Sequence, residues 1–481
     1  MLTYKKMVFS SLMFLFLFLP CTLIFYYISN KKIRNSVLVL VSLFFYAWGE
    51  PVYVFLMLFS TVVDYIHGLK VERFIELGKR KKALRVVISS AIINLFVLCF
   101  FKYSDFLIEN INIIFNLDIG LLNLPLPIGI SFYTFQTMSY TIDIYRGDAK
   151  AQKSILDFGA YVTLFPQLVA GPIVRYQTIA TQINKREHSI EKFADGVNRF
   201  VCGLAKKVIL SNQLAIIADG VFSSNLSNIS ILEAWLGIIC YTLQIYFDFG
   251  GYSDMAIGLG KMFGFEFLEN FNYPYISQTV SEFWRRWHIS LGSWFRDYVY
   301  IPLGGSRVSK LKMYRNLFIV WFLTGMWHGA SWTFIIWGLY FGVFIALEKA
   351  FLEKVLYKIP RVFRHIYLLL IVVTGWVFFR ADNMIYAFEF LKVMFRVNSN
   401  TIVNNTFNAY LIDYWYIILA SIILSTPIVK VLKRLILKVN KKALNNDIAY
   451  LMHGLSLGIY MFIAITMLCS SSYNPFLYFR F

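Results

Sequence analysis

The stretch TGMWHGASWTFIIWG, residues 324–338, places a single histidine inside an apolar and aromatic run. The run has the composition of a membrane helix, where an ionisable side chain is costly and therefore functional by default. A structural hydrogen bond between neighbouring helices is the alternative role for such a side chain. The stretch predicts a membrane protein and makes His328 its first candidate functional residue.

The depth of His328 follows from the basic segments on either side. SRVSKLKMYR ends at Arg315, EKAFLEKVLYK begins at Glu348, and about 32 residues lie between them. If both segments are cytoplasmic loops, the chain enters the membrane and returns in arms of about 12 to 18 residues, whereas a full crossing needs roughly 20. The small residues Gly329 and Ala330 permit a tight turn. We therefore expect a hairpin with His328 at its tip, partway across the bilayer.

The composition of the whole chain supports the same class. Of 481 residues, 58% are apolar and only 15% are charged, and the mean hydropathy is +0.60, far from a soluble average. We expect an all-α, multi-pass protein with ten to fourteen membrane-associated helices, some of them short or re-entrant. Segments suited to these helices lie near 7–29, 35–49, 51–67, 85–101, 155–172, 197–217, 230–247, 362–380, 408–429 and 450–470.

We expect a single membrane domain over residues 1–481. It would comprise N-terminal helices in 1–120, a catalytic core in 121–350 and C-terminal helices in 351–481. The longest polar segment, about 177–197, is too short for a second domain.

The middle third differs from both ends because its apolar segments are interrupted. Breaks are expected at Pro125, Pro127 and Gly129, at Pro166 and Gly171-Pro172, and at Gly250-Gly251. Broken helices at membrane depth need protein or a water-filled cavity to satisfy the freed backbone groups. Polar side chains in the same region strengthen the prediction of an internal cavity, although each could instead bond helix to helix: Gln136, Asp143, Gln167, Gln244, Asp248 and Asp254.

The charge distribution indicates lipid partners. The chain carries 46 basic and 27 acidic residues, a net charge of +19. The basic residues gather in short segments, as in cytoplasmic loops that face anionic headgroups, and no nucleic-acid-binding module is visible. The five cysteines are scattered without a CxxC pair, so we expect neither a disulfide framework nor a metal site. The basic segments lie at 30–34, 78–85, 304–315 and 430–442.

A second histidine lies in TVSEFWRRWHISLGSWFRDYVYIPLGG, residues 279–305. Thr279 and Glu282 form a capping-box signature for a helix start. On one continuous helix, the spacing places His288 on an apolar face with Trp284, Leu291 and Phe295. The alternative is that His288 only anchors the helix at the interface. The other four histidines are expected at the surface or interface: His67, His188, His365 and His453.

An imidazole embedded in apolar surroundings has a defined chemistry. Its ordinary pKa is near neutrality, and desolvation favours the neutral form. A neutral imidazole can accept the proton of a hydroxyl that attacks a thioester, or it can take the acyl group itself. Both roles suit acyl transfer.

The two histidine stretches resemble the histidine regions of membrane-bound O-acyltransferases. The closer resemblance is to the bacterial branch typified by the membrane subunit of alginate O-acetyltransferase, and it runs from near the N-terminus to the last residue. Supporting matches are FYAWGEP at 45–51, LPIGISFYTFQTMSYTIDIYRG at 126–147, FPQLVAGPIVRY at 165–176, YFDFGGYSDMAIGLG at 246–260 and NPFLYFRF at 474–481.

The resemblance implies a fold and an activity. The fold would be a ring of membrane helices around a buried reaction chamber, in the bacterial cytoplasmic membrane. The enzyme would pass an acetyl group from cytoplasmic acetyl-CoA, a substrate and not a bound cofactor, toward a hydroxyl outside the membrane. His328 would be the catalytic histidine and His288 a supporting one. A separate SGNH-type acetyltransferase would complete the transfer to a polysaccharide such as alginate, peptidoglycan or cellulose.

Further substrate-binding residues are expected from residue type. Tryptophans would wall the chamber and arginines would hold donor phosphates, against the alternative of interface anchoring and cytoplasmic charge. These candidates are Trp327, Trp284, Trp332, Arg285, Arg286, Arg175, Asp248 and Gln244.

Two other functions compete with this interpretation. One is the transfer of D-alanyl or another acyl group to teichoic acid, lipid or protein. The other is transport, because broken helices around midplane polar groups also occur in transporters. The sequence shows no inverted repeat to support transport.

Overall fold

The computed structural model describes residues 7–169, 171–397, 400–432, 446–471 and 473–477. Every regular element in these ranges is a helix, which confirms the all-α class. Two sequence features fall partly outside them, namely the basic segment beyond residue 432 and the end of the match at 474–481.

The chain divides into two compact units. The first comprises Met1–Phe200 and Tyr252–Leu268, and the second comprises Val201–Gly251 and Glu269–Phe481. The three-part division of a single domain that the sequence suggests stays a prediction.

The first unit is built from helices separated by short turns. Gly129 precedes one of them with φ +72°, a left-handed conformation that glycine adopts without strain, so the expected helix start after the prolines is confirmed. The break expected at Pro166 is confirmed, since the segment predicted over 155–172 forms two short helices and the first ends at Thr163. The helices are Leu19–Ile28, Arg34–Gly49, Val54–Glu76, Arg80–Phe115, Ile130–Arg146, Ile155–Thr163, Phe165–Leu168, Tyr176–Asn184 and the part of Ile190–Ala205 up to Phe200.

The second unit holds both histidine stretches. Wider π-helical turns interrupt or extend its helices at Lys206–Ser211, Arg296–Tyr300 and Glu348–Leu352. Ile231–Met262 contributes residues to both units. The α-helices are Asn212–Ser223, Ile231–Met262, Val280–Arg286, Ile289–Phe295, Lys310–His328, Trp332–Leu347, Glu353–Leu356, Arg361–Arg380, Met384–Met394, Asn405–Leu424 and Asn446–Ser470.

Seven helical stretches within the described residues are long and apolar enough to cross a membrane. Six of them overlap segments expected from the sequence, and Trp332–Leu356 is an addition. Two shorter apolar helices, Phe14–Ile28 and Arg34–Gly49, coincide with the first two expected segments. The chain is thus a multi-pass membrane protein. The seven stretches are Val54–Glu76, Arg80–Phe115, Ile190–Ser223, Trp332–Leu356, Arg361–Arg380, Asn405–Leu424 and Leu451–Ser470.

The expected break at Gly250-Gly251 is wrong, because Ile231–Met262 continues through it. A side chain at Gly251 would place its Cβ 2.8 Å from the carbonyl oxygen of Gly203. The glycine therefore allows two helices to approach backbone to backbone, which is how small residues promote packing between membrane helices.

The expected hairpin at His328 is confirmed as a turn, but not in the length of its second arm. Lys310–His328 ends at the histidine and the next helix begins at Trp332. The predicted loop at Glu348 is helical, so this arm extends to Leu356 over 25 residues, enough for a full crossing. The mid-bilayer depth of His328 stays a prediction.

The two arms of the hairpin lie unusually close. A Cβ at Gly338 would collide with the Trp321 carbonyl oxygen of the first arm. The backbones of the two arms touch at Gly338, and the larger side chains of both arms lie on either side of this contact. Trp321 and Trp337 are buried there in the core of the second unit.

Candidate active site

The helix that leads to His288 begins as its capping box predicts. The Thr279 hydroxyl accepts a hydrogen bond from the Glu282 backbone N–H at 3.0 Å, and the Glu282 carboxylate accepts one from the Gln278 N–H at 3.0 Å. Such caps satisfy backbone donors that a helix start leaves open, each contributing about 1 kcal/mol. The cap fixes where Val280–Arg286 starts.

A buried carboxylate from a distant part of the chain holds the same helix start. Glu348 is 2% exposed, and its oxygens accept hydrogen bonds from the backbone N–H groups of Val280 and Ser281 at 2.6 and 2.8 Å. The Ser281 and Tyr367 hydroxyls donate to the same carboxylate. A negative charge at a helix N-terminus is favourable. Glu348 therefore ties the helix before His288 to the arm that follows His328.

His288 does not lie on a continuous helix, and the predicted apolar face through Trp284, Leu291 and Phe295 is wrong. One helix ends at Arg286, the next begins at Ile289, and His288 between them has φ +45° and ψ +54°. A left-handed conformation costs a non-glycine residue about 1 kcal/mol or more, and persists only where surrounding contacts impose it. His288 therefore belongs to neither of the two helices that flank it.

Asn270 supplies the contacts that impose this conformation. Its backbone carbonyl accepts from the Ile289 N–H at 3.0 Å, and its side-chain oxygen accepts from the Ser290 N–H at 3.1 Å. The Ser290 hydroxyl donates to the same oxygen at 2.9 Å. Because a backbone N–H can only donate, the amide of Asn270 is fixed with its oxygen toward this turn.

The amide of Asn270 also decides which nitrogen of His288 carries the proton. The Nδ1 atom lies 3.2 Å from the Asn270 side-chain oxygen, an acceptor, so neutral His288 donates from Nδ1 and keeps a lone pair on Nε2. Nε2 is buried and has no hydrogen-bond partner among the described residues. His288 is 2% exposed and lies outside the candidate spans, and burial lowers its pKa to about 3. At neutral pH it is a neutral hydrogen-bond acceptor.

His328 occupies the end of the first hairpin arm in an aromatic enclosure. It is 5% exposed, and three rings surround it edge to face. The ring centroids lie 5.0 Å away for Trp327, 4.9 Å for Trp337 and 5.2 Å for Phe379. These rings come from three helices, so the position of the imidazole is set by tertiary packing.

Trp327 joins the two histidines. Its ring centroid lies 5.8 Å from that of His288 and 5.0 Å from that of His328. The His288 ring also packs against Phe249 at 4.6 Å. The structure thus brings the two histidines, separated by 40 positions in the sequence, into one aromatic cluster around Trp327. Trp284 packs against Trp337, one of the rings around His328, with ring centroids 5.5 Å apart.

Asp248 is held in a buried ion pair. It lies 2.5 Å from the Lys207 ammonium, and each side chain is 1% exposed. The second carboxylate oxygen accepts from the Leu477 N–H at 2.9 Å, and the lysine donates to the Pro475 carbonyl. A charge in such surroundings is stable only when paired and hydrogen-bonded. The pair binds a segment near the C-terminal end to the helix that carries Phe249.

The other polar candidates of the middle third are also buried: Gln136, Asp143, Gln167, Gln244 and, in an ion pair like that of Asp248, Asp254. Asp254 pairs with Arg199 at 2.6 Å in the first unit. Gln244 is 1% exposed, and its backbone carbonyl accepts from the Ser211 hydroxyl at 3.2 Å. For Asp248 and Asp254 the structure shows helix-to-helix bonding, the alternative that the sequence left open. The internal cavity stays a prediction.

The remaining candidates lie at more open positions. Arg285 is exposed, and Arg286 pairs with Glu282 at 2.9 Å. Trp332 is 52% exposed at the start of the second hairpin arm. Arg175, in the first unit, precedes the helix Tyr176–Asn184. Their expected roles in binding the donor or walling a chamber stay predictions.

Sequence reasoning missed three residues that organise this site. Asn270, Glu348 and Lys207 act on partners 18 to 68 positions away, beyond any helical periodicity. Glu348 and Lys207 lie in segments that look like ordinary charged flanks of apolar helices. A signal was present only for Asn270, in the polar break before the first histidine stretch.

Comparison with known proteins shows which family this chain resembles. The model of MBOAT, the membrane-bound O-acyltransferase family, matches residues 7–386. A Pseudomonas aeruginosa protein named "Probable alginate O-acetylase AlgI" is 47% identical over 395 residues, which cover 81% of this chain and 75% of that protein. A peptidoglycan O-acetyltransferase of Helicobacter pylori is 36% identical over 427 residues, covering 82% and 80%. A teichoic acid D-alanyltransferase of Bacillus subtilis is 32% identical over 247 residues, covering 48% and 61%.

The fold, the two histidines and these matches define a multi-pass membrane enzyme that transfers acyl groups. The chain belongs to the membrane-bound O-acyltransferase family.

Proposed function

We propose that this chain is an acetyltransferase subunit of the bacterial cytoplasmic membrane. It passes acetyl from cytoplasmic acetyl-CoA for O-acetylation of an extracytoplasmic polysaccharide, through an SGNH-type partner. The relatives named as O-acetylating enzymes match about four fifths of the chain, whereas the D-alanyltransferase matches about half. This difference in coverage favours acetyl over D-alanyl as the transferred group.

The observation that carries the proposal is the shared contact of both imidazoles with Trp327. An apolar, aromatic enclosure keeps an imidazole neutral, and a neutral imidazole is the form that can accept a proton. Two neutral imidazoles in contact with the same tryptophan suit a reaction in which a hydroxyl loses its proton as it attacks an acyl donor.

In the proposed reaction, His328 is the general base. The acceptor hydroxyl oxygen attacks the thioester carbonyl carbon, so a C–O bond forms and the C–S bond breaks. The hydroxyl proton moves to the imidazole and then to the departing sulfur, so that CoA leaves as the thiol. A transient acyl group on His328 is the alternative route to the same products.

His288 supports this reaction as an acceptor of a hydrogen bond. With its proton on Nδ1 toward Asn270, its Nε2 lone pair can accept from the attacking hydroxyl or from an N–H of His328. It cannot donate to the thioester carbonyl while it is neutral. Of two possible supporting roles, orienting His328 or hydrogen-bonding the thioester carbonyl, we therefore assign orientation to His288.

The test compares His328→Ala and His288→Ala with His453→Ala, a matched change at an exposed histidine. Purified proteins in liposomes receive acetyl-CoA and the partner, and the released CoA thiol is measured. General base catalysis is worth about 10²–10⁴-fold, so His328→Ala should lose that much, His288→Ala less, and His453→Ala nothing.

A second measurement follows the polymer in cells. Mass spectrometry of the envelope glycan distinguishes acetyl esters from D-alanyl esters. Normal acetylation by a membrane-inserted His328→Ala protein would contradict the proposed role of His328. Intact acetyl-CoA in the presence of wild-type enzyme and partner would instead favour transport.

A further inference from the structure

Two arginines and a histidine converge in the first unit. Arg34 NH1 lies 3.4 Å from His188 Nε2, and Arg186 Nε donates to the Tyr26 hydroxyl at 3.2 Å. That hydroxyl lies 2.9 Å from the same histidine nitrogen. Within the described part of the chain, neither arginine forms an ion pair.

The cluster has more hydrogen-bond donors than acceptors. Each guanidinium carries five N–H groups and no acceptor. Besides Tyr26 and His188, each arginine has one hydrogen-bond acceptor among the described residues. It is the Ser29 carbonyl for Arg34 and the Ile183 carbonyl for Arg186. The Tyr26 hydroxyl has the Phe263 carbonyl within 3.0 Å. Most of the guanidinium donors therefore have no hydrogen-bond acceptor among the described residues, and both side chains are only partly buried, so a ligand can reach them.

Aromatic rings hold both guanidinium groups in place. Arg34 lies 5.0 Å from the Tyr26 ring centroid, and Arg186 lies 4.5 Å from that of Phe265. Tyr26 itself is fully buried. Stacking of this kind reduces the freedom that an arginine loses on binding, and the planar fork matches the oxygens of a phosphate.

The local charge is positive. His188 lies outside the candidate spans, and burial together with the charges of Arg34 and Arg186 lowers its pKa. Lys192, on the following helix, donates to the Gly264 carbonyl at 3.0 Å and pairs with the exposed Glu266 at 3.0 Å. An anion bound here would relieve the repulsion among the cations.

We propose that Arg34, Arg186 and His188 form a binding site for a phosphate group. The guanidinium donors would take the phosphate oxygens, and Tyr26 would form the rigid base of the site. The phosphate comes either from an anionic phospholipid headgroup or from a soluble phosphate ester such as CoA. The phospholipid source does not depend on the proposed acetyl transfer, whereas the CoA source rests on it.

The experiment compares Arg34→Gln/Arg186→Gln with Lys31→Gln/Lys32→Gln. Both double variants lose two positive charges, and both lysines are exposed on the loop before Arg34. In the lipid arm, proteins are released from nanodiscs of mixed phosphatidylglycerol and phosphatidylcholine, and native mass spectrometry counts the retained phosphatidylglycerol. In the soluble arm, CoA is titrated calorimetrically into proteins held in phosphatidylcholine alone.

A phospholipid site predicts that the arginine variant retains phosphatidylglycerol at least about tenfold less than wild type, while the lysine variant is unchanged. A soluble phosphate ester predicts the same loss for CoA instead. Equal retention and equal CoA affinity in all three proteins would overturn the proposal. Should the double arginine variant not insert, Arg34→Gln alone decides, because it removes only one stacked guanidinium.

Discussion

The surroundings of His288 and His188 differ in how each keeps an imidazole neutral. His288 is 2% exposed among aromatic rings, and burial lowers its pKa to about 3. His188 is only partly buried, and the charges of Arg34 and Arg186 add to burial in lowering its pKa. The side chains in ring contact with His288 are uncharged, whereas two positively charged arginines lie beside His188. A region without net charge suits proton transfer, whereas a region with excess positive charge suits an anion.

The largest expected effect on stability comes from removing one partner of the buried ion pair between Lys207 and Asp248. Lys207→Met leaves the Asp248 carboxylate buried without its counterion, next to Phe249, which packs on His288. Breaking a buried pair costs about 3–5 kcal/mol. The thermal unfolding midpoint in detergent should fall strongly for Lys207→Met. It should recover in Lys207→Met/Asp248→Leu.

The control for this change is Lys392→Met, which removes an exposed partner of Glu389. An exposed pair contributes about 0–1 kcal/mol. If Lys207→Met unfolds no earlier than Lys392→Met, the region around His288 tolerates unpaired charge and the contrast with His188 fails.

The next effect is on pH dependence. Asn270→Asp places a carboxylate 3.2 Å from Nδ1 of His288. A neighbouring negative charge raises the pKa of a histidine by about 1–3 units. The imidazole then becomes protonated at higher pH, so the acidic limb of the activity profile should move to higher pH. The profile of CoA release measures this shift.

Asn272→Asp is the matched control, since Asn272 lies two residues away and is exposed. Its profile should coincide with that of wild type. An unmoved profile in Asn270→Asp would show that Asn270 does not set the proton on His288.

The smallest effect compares the acid stability of the two histidine environments. The pKa of His288 lies below the value of about 6.5 that applies in the unfolded chain, so the unfolded state takes up the proton first. Stability is therefore lost as pH falls below about 6.5, by up to roughly 1.4 kcal/mol per unit, until the folded pKa is reached. His288→Gln should flatten this loss, measured by thermal unfolding between pH 7 and 5.

His188→Gln should flatten the same curve less, because His188 is only partly buried and solvent weakens the influence of its surroundings. An equal response of the two variants would mean that the environments do not differ in the way described.

Local signals in the sequence predicted most of the helices and the turn at His328. The cap at Thr279 and the turn after His328 follow from residue types within a few positions. The break at His288 could not be predicted, because Asn270 imposes it from 18 positions away. Gly250-Gly251 looks like a helix break, yet the helix continues and Gly251 allows close contact with a neighbouring helix at Gly203.

The phosphate site shows the same limit. Arg34 and Arg186 lie in short basic segments that resemble any cytoplasmic loop, and His188 was expected only at the surface or interface. The difference lies in tertiary proximity: the side chains share Tyr26 across about 160 positions of sequence. Composition registers their charge but not that both arginines lack an ion pair among the described residues.

The ion pair of Lys207 and Asp248 has a consequence for biosynthesis. Its remaining partners, the Pro475 carbonyl and the Leu477 N–H, leave the ribosome more than 200 residues after Asp248. At translation rates of about 5–20 residues per second, that delay is roughly ten to forty-five seconds. During this interval the ion pair lacks the two backbone groups that complete its hydrogen bonding, so this part of the fold is finished only when the last residues have been made.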